Sequence, residues 1–216
     1  MSSRDTILQR LRTELSKSRP ADKPEPAEVW PRENPAPAEM ADRFTEELTL
    51  VHGEVIRCAS VEDAQRRLAE LAKESEWKSL CGMDRPMVRD AAGGLPPDAI
   101  EWAAADWQPR RIADYSASVI EADALLADTG SCLISCPTAQ DRLLCYLPPA
   151  CVVIARVGQL AEHLPAAWPS VVARASEQSL TGEFVIVTGP SRTADIEKIL
   201  ILGVHGPKRL VVLLIG

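Results

Sequence analysis

The chain has 216 residues, 46% of them hydrophobic and 25% charged, with a formal net charge of −7. That size and balance describe one main globular domain able to bury a core without disulfides or metal, and they leave no general basic field for gripping a phosphate backbone. Nucleic-acid binding is disfavoured, and no apolar run approaches the roughly 20 residues a membrane span requires.

The opening segment 1–19 carries Arg4, Asp5, Arg10, Arg12, Glu14, Lys17 and Arg19, which is not the pattern of a signal peptide and predicts a cytoplasmic protein. Ile7, Leu8, Leu11 and Leu15 share one face of a short amphipathic helix. That face either folds back on the core or docks on another subunit or partner. Pro20, Pro24, Pro26, Pro31, Pro35 and Pro37 then make 20–40 a proline-rich linker or arm, and the single α/β domain is expected over 41–216.

Within that domain Glu54–Ala59 is strand-like, and Ser60-Val61-Glu62-Asp63 opens a helix through about Lys73 with Ser60 as its N-cap. Short apolar runs follow at Trp77–Cys81 and Ile100–Ala104, separated by the turn at 93–97. Ser118–Ser135, with Asp128-Thr129-Gly130-Ser131 at its bend, reads as a hairpin inserted in an otherwise parallel sheet. Cys151–Ala155, Phe184–Val187 and Leu210–Ile215 are unbroken aliphatic runs of the kind found in parallel strands covered on both faces. Helical or irregular connections at Gln159–Leu164 and Thr193–Leu202 complete a mostly parallel, doubly wound α/β sheet with helices on both faces.

The six cysteines, at 58, 81, 132, 136, 145 and 151, contain no Cys-x-x-Cys pair and no zinc or iron–sulfur spacing. They read as small buried apolar residues, and no metal or cofactor of the chain's own is expected.

The segment Thr188-Gly189-Pro190-Ser191-Arg192-Thr193 carries a mechanism. A buried strand ends at Thr188, Gly189 turns the chain, and Ser191 or Thr193 is placed to cap a helix closed by Gly203. Free helix amides, two hydroxyls and a guanidinium at the carboxyl end of a strand suit a small carboxylate or phosphate. Arg192 reads equally as a partner of Asp195 or Glu197, acids that already complement a helix dipole. Further ligand candidates are Glu121 and Asp123 on one side of an extended segment, Thr129 and Gly130 at the hairpin bend, Arg142, and His205 as a titrating group or helix cap. No residue is assigned a catalytic role.

The run Thr188–Glu197, with Leu202-Gly203-Val204-His205-Gly206-Pro207 and the upstream Glu121-Ala122-Asp123 and Asp128-Thr129-Gly130-Ser131, resembles the signature of the LUD-domain family, in particular its lactate utilisation protein C group. The resemblance implies a fold like that of ribose-5-phosphate isomerase, glucosamine-6-phosphate deaminase and the CoA transferases. It further implies a non-redox part in cytoplasmic oxidation of L-lactate to pyruvate beside iron–sulfur subunits. The alternative is a stand-alone isomerase- or transferase-like enzyme binding a small anionic ligand at the 188–193 turn.

Overall fold

The computed structural model describes residues 3–17, 30, 33–177, 183–194, 200–202 and 206–216. Helix α1, Ser3–Lys17, forms a unit by itself, with Ile7, Leu8, Leu11 and Leu15 all exposed. Among the described residues no helix is long and apolar enough to cross a membrane.

The second unit begins with α2, Pro37–Leu50, which has proline in its first turn and buries Ala41, Phe44 and Leu48 on one stripe. Strand β1, Glu54–Cys58, leads into α3, Val61–Glu74. Ser60 caps α3 as expected, its Oγ accepting the Asp63 amide at 3.2 Å, while Ala64, Leu68 and Leu71 enter the core. Next come β2 (Leu80–Gly82), α4 (Pro86–Ala91), β3 (Ile100–Trp102), α5 (Pro109–Ala113) and β4 (Ala117–Glu121). They are followed by β5 (Ala124–Leu126), β6 (Ser131–Cys136), α6 (Ala139–Leu144), β7 (Ala150–Arg156), β8 (Leu160–Ala161) and α7 (Leu164–Glu177). The chain closes with β9 (Glu183–Val187), β10 (Arg192–Ala194), β11 (Leu200–Leu202) and β12 (Arg209–Ile215).

Six strands make one wholly parallel sheet in the order β1-β12-β7-β4-β2-β3. In β7 and β12 six consecutive residues are buried, so both faces of the sheet are covered there and the β-branched and aliphatic runs are explained. The chain is thus α/β with a mostly parallel sheet.

Three local expectations are corrected. Phe184–Val187 is not in the parallel sheet: as β9 it pairs antiparallel with β6 in a second sheet, ordered β8-β5-β6-β9, and Ile186 is exposed. The β5–β6 hairpin belongs to this second sheet too, rather than being inserted in the first. An apolar run without alternation therefore did not distinguish a strand of the doubly covered sheet from one with an open face. The described ends of Thr193–Leu202 are strand rather than helix, because β10 and β11 pair antiparallel from Arg192↔Leu202 to Ala194↔Leu200. Thr193 and Ile201 are β-branched, which favours extended backbone at these two strands. The proposed closing residue, Gly203, lies outside the described residues.

Candidate functional site

Strand order and chain order reverse at one place in the parallel sheet. β2 connects outward to the edge strand β3, whereas β4 connects the other way, to β7 and then β12. Open α/β sheets bind ligands outside the carboxyl ends of the strands flanking such a reversal. The segments leaving those two ends carry Arg85 after β2 and Glu121-Ala122-Asp123 at the end of β4.

Asp123 sits in the joint where the chain passes from β4 of the first sheet to β5 of the second. Its amide donates to the Leu133 carbonyl at 2.8 Å, and its Oδ2 accepts the Ser135 amide at 2.5 Å, so both halves of the residue are tied to β6. Arg85 Nη1 donates to Oδ1 at 3.3 Å and Oδ2 at 3.4 Å. Arg85 Nη2 donates to the Ser135 carbonyl and, at 2.8 Å, to its Oγ. Arg174, reaching over from α7, places Nε 2.5 Å from Asp123 Oδ1, aligned as an ion pair rather than a hydrogen bond. Burial of this carboxylate is tolerable because two guanidiniums and an amide compensate it.

Glu121 lies beside the same cluster. Its Oε2 is buried without a hydrogen-bond partner. Burial raises its pKa, and Asp123 pushes in the same direction, while Arg85, Arg174 and the Met87 amide oppose them; the net direction is upward. Glu121 is therefore the group here most disposed to hold a proton.

A cleft of about 540 Å³ opens against Arg85 and Arg174, with Met83, Pro86, Ala103 and Pro137 as apolar walls. Two acids line it, and both are engaged. Asp84 pairs with Arg89 at 2.5 Å, whose hydrogen bond lowers its pKa, and Asp141 accepts the Thr138 hydroxyl at 2.7 Å in the cap of α6. A second cleft of about 530 Å³ is lined by Asp123, Gln159 and Glu162, the last holding the Glu33 amide at 2.9 Å.

The residues singled out from sequence fall into separate places. Asp123 is held between Arg85 and Arg174 and lines the second cleft, and Glu121 lies beside that cluster. Thr129 and Thr188 meet elsewhere, both bonded to Ser131 Oγ, at 2.8 and 2.6 Å. Gly130 and Gly189 have φ of 61° and 79°, and both press on the end of α2. A Cβ at Gly130 would stand 2.3 Å from the Leu48 nitrogen, and one at Gly189 2.8 Å from the Val51 oxygen. Pro190 is buried, and the Ser191 amide donates to the Pro207 carbonyl at 2.9 Å. With β10 in place of a helix, the amide-rich helix start expected at 188–193 is absent. Arg142, on α6, pairs with Glu183 at 2.6 Å on the surface. The side chains of Arg192 and Thr193, and all of His205, lie outside the described residues.

Arg85, Ser135 and Arg174 were not visible as site residues from sequence. Arg85 had one usable signal, a cation between a short apolar run and a helix-opening proline. Arg174 had none, since its role depends on where α7 crosses.

The fold and the crevice define an α/β domain with a charged opening at the switch point of a parallel sheet. The LUD domain family model matches residues 41–215, and the chain belongs to that family. It is 35% identical over 107 residues to lactate utilization protein C of Bacillus pumilus (strain SAFR-032), covering 49% of this chain and 45% of that one. It is also 35% identical over 104 residues to the uncharacterized protein YkgG of Escherichia coli (strain K12), covering 45% and 42%. The matched segments thus span less than half the length of either relative. A crystal structure of a DUF162 family protein from Deinococcus radiodurans superposes with a TM-score of 0.63 at 15% identity, covering 84% of this chain and 99% of that one. At that identity the likeness establishes the fold alone.

Proposed function

We propose that this chain is a non-redox component of a cytoplasmic system that oxidises L-lactate to pyruvate, acting with iron–sulfur partner subunits. The observation that carries the reading is the similarity to lactate utilization protein C within a shared LUD domain. The crevice supports it, because lactate and pyruvate are both carboxylates and two guanidiniums meet there. The cysteines support the division of labour. All six are buried, and burial pushes Cys58 up to about 11 and Cys151 up to about 12, so these thiols act as packing residues. The α/β domain at 41–216 carries the role, and the 1–19 helix with the 20–40 proline-rich segment is read as an appended docking arm.

The test is genetic and biochemical. Deleting the gene from its host is expected to abolish growth on L-lactate as sole carbon source, with growth restored by the full chain, and the tagged chain is expected to copurify with iron–sulfur subunits. Undiminished growth of the deletion strain on L-lactate would overturn the proposal.

A further inference from the structure

The two faces of α7 differ in character. The inner face sends Ala167 and Val171 into the small core of the second sheet with Ala124, Leu126 and Leu133, and turns Arg174 toward Asp123. The outer face leaves Trp168 53% and Val172 47% exposed, one helical turn apart on the same side. From Leu164 to Ala173 there is no charged residue. The other long helices of this unit are different: α2 exposes Asp42, Arg43 and Glu46, and α3 exposes Glu62, Arg66, Lys73 and Glu74. We infer that the outer face of α7, together with the open edge of β9, is the surface on which a second copy of this chain docks to form a two-fold dimer.

β9 extends the patch on the same side. It is the last strand of the second sheet, with no strand on its far side among the described residues. Phe184 packs into the small core under α7, and side chains two residues apart in a strand share a face. Ile186 therefore points to the α7 side as well, where it is 48% exposed. An apolar edge strand is a template for another chain, which proteins ordinarily blunt with charge or cover. The charge on β9, Glu183, stands at its start and is paired with Arg142.

Charge selects the occupant. The chain carries −7, so its copies repel wherever acidic surfaces meet, and a face without charge is where they can approach. A strongly charged partner would look for complementary charges that this face does not offer. Two identical patches closed on each other are also the commonest way for soluble chains to associate, and closure leaves no apolar patch to propagate. The helix itself gains from the cover. Pro169 removes one of its internal hydrogen bonds, and the inner face buries two small side chains, Ala167 and Val171. A second copy would steady the helix that carries Arg174 to the cleft.

Size sets the strength. At its ordinary rise α7 is about 21 Å long and β9 about 17 Å, so the patch is on the order of 20 Å by 20 Å. That is below the roughly 800 Å² per partner of a standard stable interface, which makes the dimer reversible and micromolar.

Sedimentation velocity of the full chain between about 1 and 200 µM tests this, a range that brackets micromolar association. The expected result is a concentration-dependent passage from monomer to dimer, with a melting temperature that rises with concentration. High salt is expected to leave the association intact or strengthen it, since it screens the net repulsion and breaks no ion pair at the interface. Trp168→Glu and Ile186→Lys, both at exposed positions, are each expected to weaken association by at least about 10-fold while keeping the parent's melting temperature at the lowest concentration. Glu46→Lys, on the exposed face of α2, is expected to leave it unchanged. Monomer alone across the whole range would overturn the inference. So would a dimer that survives in both Trp168→Glu and Ile186→Lys, as one formed through the exposed apolar face of α1 would.

Discussion

Arg85 and Asp123 meet 3.3 Å apart across the mouth between β2 and β4, with side chains only 8% and 6% exposed. Two strands of one sheet are linked there by a charge pair shut away from water, and the same Asp123 is bonded to the second sheet through Ser135. The pair therefore joins three segments distant in sequence. Removing Asp123 leaves the buried Arg85 with no carboxylate to bond, and removing Arg85 leaves the buried Asp123 with Arg174 as its remaining cation; breaking a buried pair typically costs about 3–5 kcal/mol.

Arg85→Met is accordingly expected to lower the unfolding free energy by about 3–5 kcal/mol in urea titrations. The double variant Arg85→Met with Asp123→Leu is expected to lose clearly less than the sum of the two single variants, because it strands neither charge. A loss below about 1 kcal/mol for Arg85→Met would match an exposed pair and contradict the burial of this one.

Glu121 makes stability depend on pH with a definite sign. Its folded-state pKa lies above the ordinary 4.5, chiefly through burial. Between those two values the native state holds a proton that the unfolded state has released, so the contribution of Glu121 to stability declines as pH rises above 4.5. Below 4.5 both states are protonated and the contribution is complete. Melting temperatures followed upward from mildly acid pH are expected to fall less steeply for Glu121→Gln than for the parent chain. Parallel profiles would show that Glu121 ionises normally.

How much of this was legible from residues alone differs by element. Ser60 with Asp63, and the aliphatic runs of β7 and β12, announce themselves because the interactions are local or follow from complete burial. Glu121 and Asp123 were visible as acids on one side of an extended segment. Their cations were not, since Arg85 lies 38 residues from Asp123 and Arg174 reaches it only through the placement of α7. The helix α7 was itself obscured by its internal Pro169. The 188–193 turn misled for a physical reason: a glycine and hydroxyl residues after a strand suit a helix cap and a β-turn alike. The pressure of α2 on Gly130 and Gly189 is a tertiary contact that no spacing records.

That contact gives a graded glycine series. At Gly130 an alanine faces both a φ of 61° and a Cβ 2.3 Å from the Leu48 backbone nitrogen. The left-handed conformation alone costs roughly 1–2 kcal/mol for a residue with a side chain, and the clash with a helix backbone adds to it. At Gly158 a Cβ meets nothing within 4 Å. Gly130→Ala is expected to cost more than about 2 kcal/mol in chemical denaturation, while Gly158→Ala stays within about 0.5 kcal/mol of the parent or stabilises it slightly. Equal effects at the two positions would mean that α2 does not seat against the hairpin bend as described.

The thiols provide a check on the core. Cys58 is 2% exposed, Cys81 and Cys132 are 0%, Cys136 and Cys151 1%, and Cys145 2%. Attack on a disulfide reagent needs a thiolate that the reagent can reach, and burial denies both. For Cys145 the neighbouring Cys136, with the two sulfurs 4.0 Å apart, adds to the upward shift by sharing a proton with it. The native chain at neutral pH is therefore expected to react with an aromatic disulfide reagent only as fast as it opens, while in denaturant all six cysteines react at once. Adding osmolyte, which stabilises the compact state, is expected to slow the native reaction further. One thiol titrating rapidly in the native protein would place that cysteine at the surface, and with it the strand end or helix that carries it.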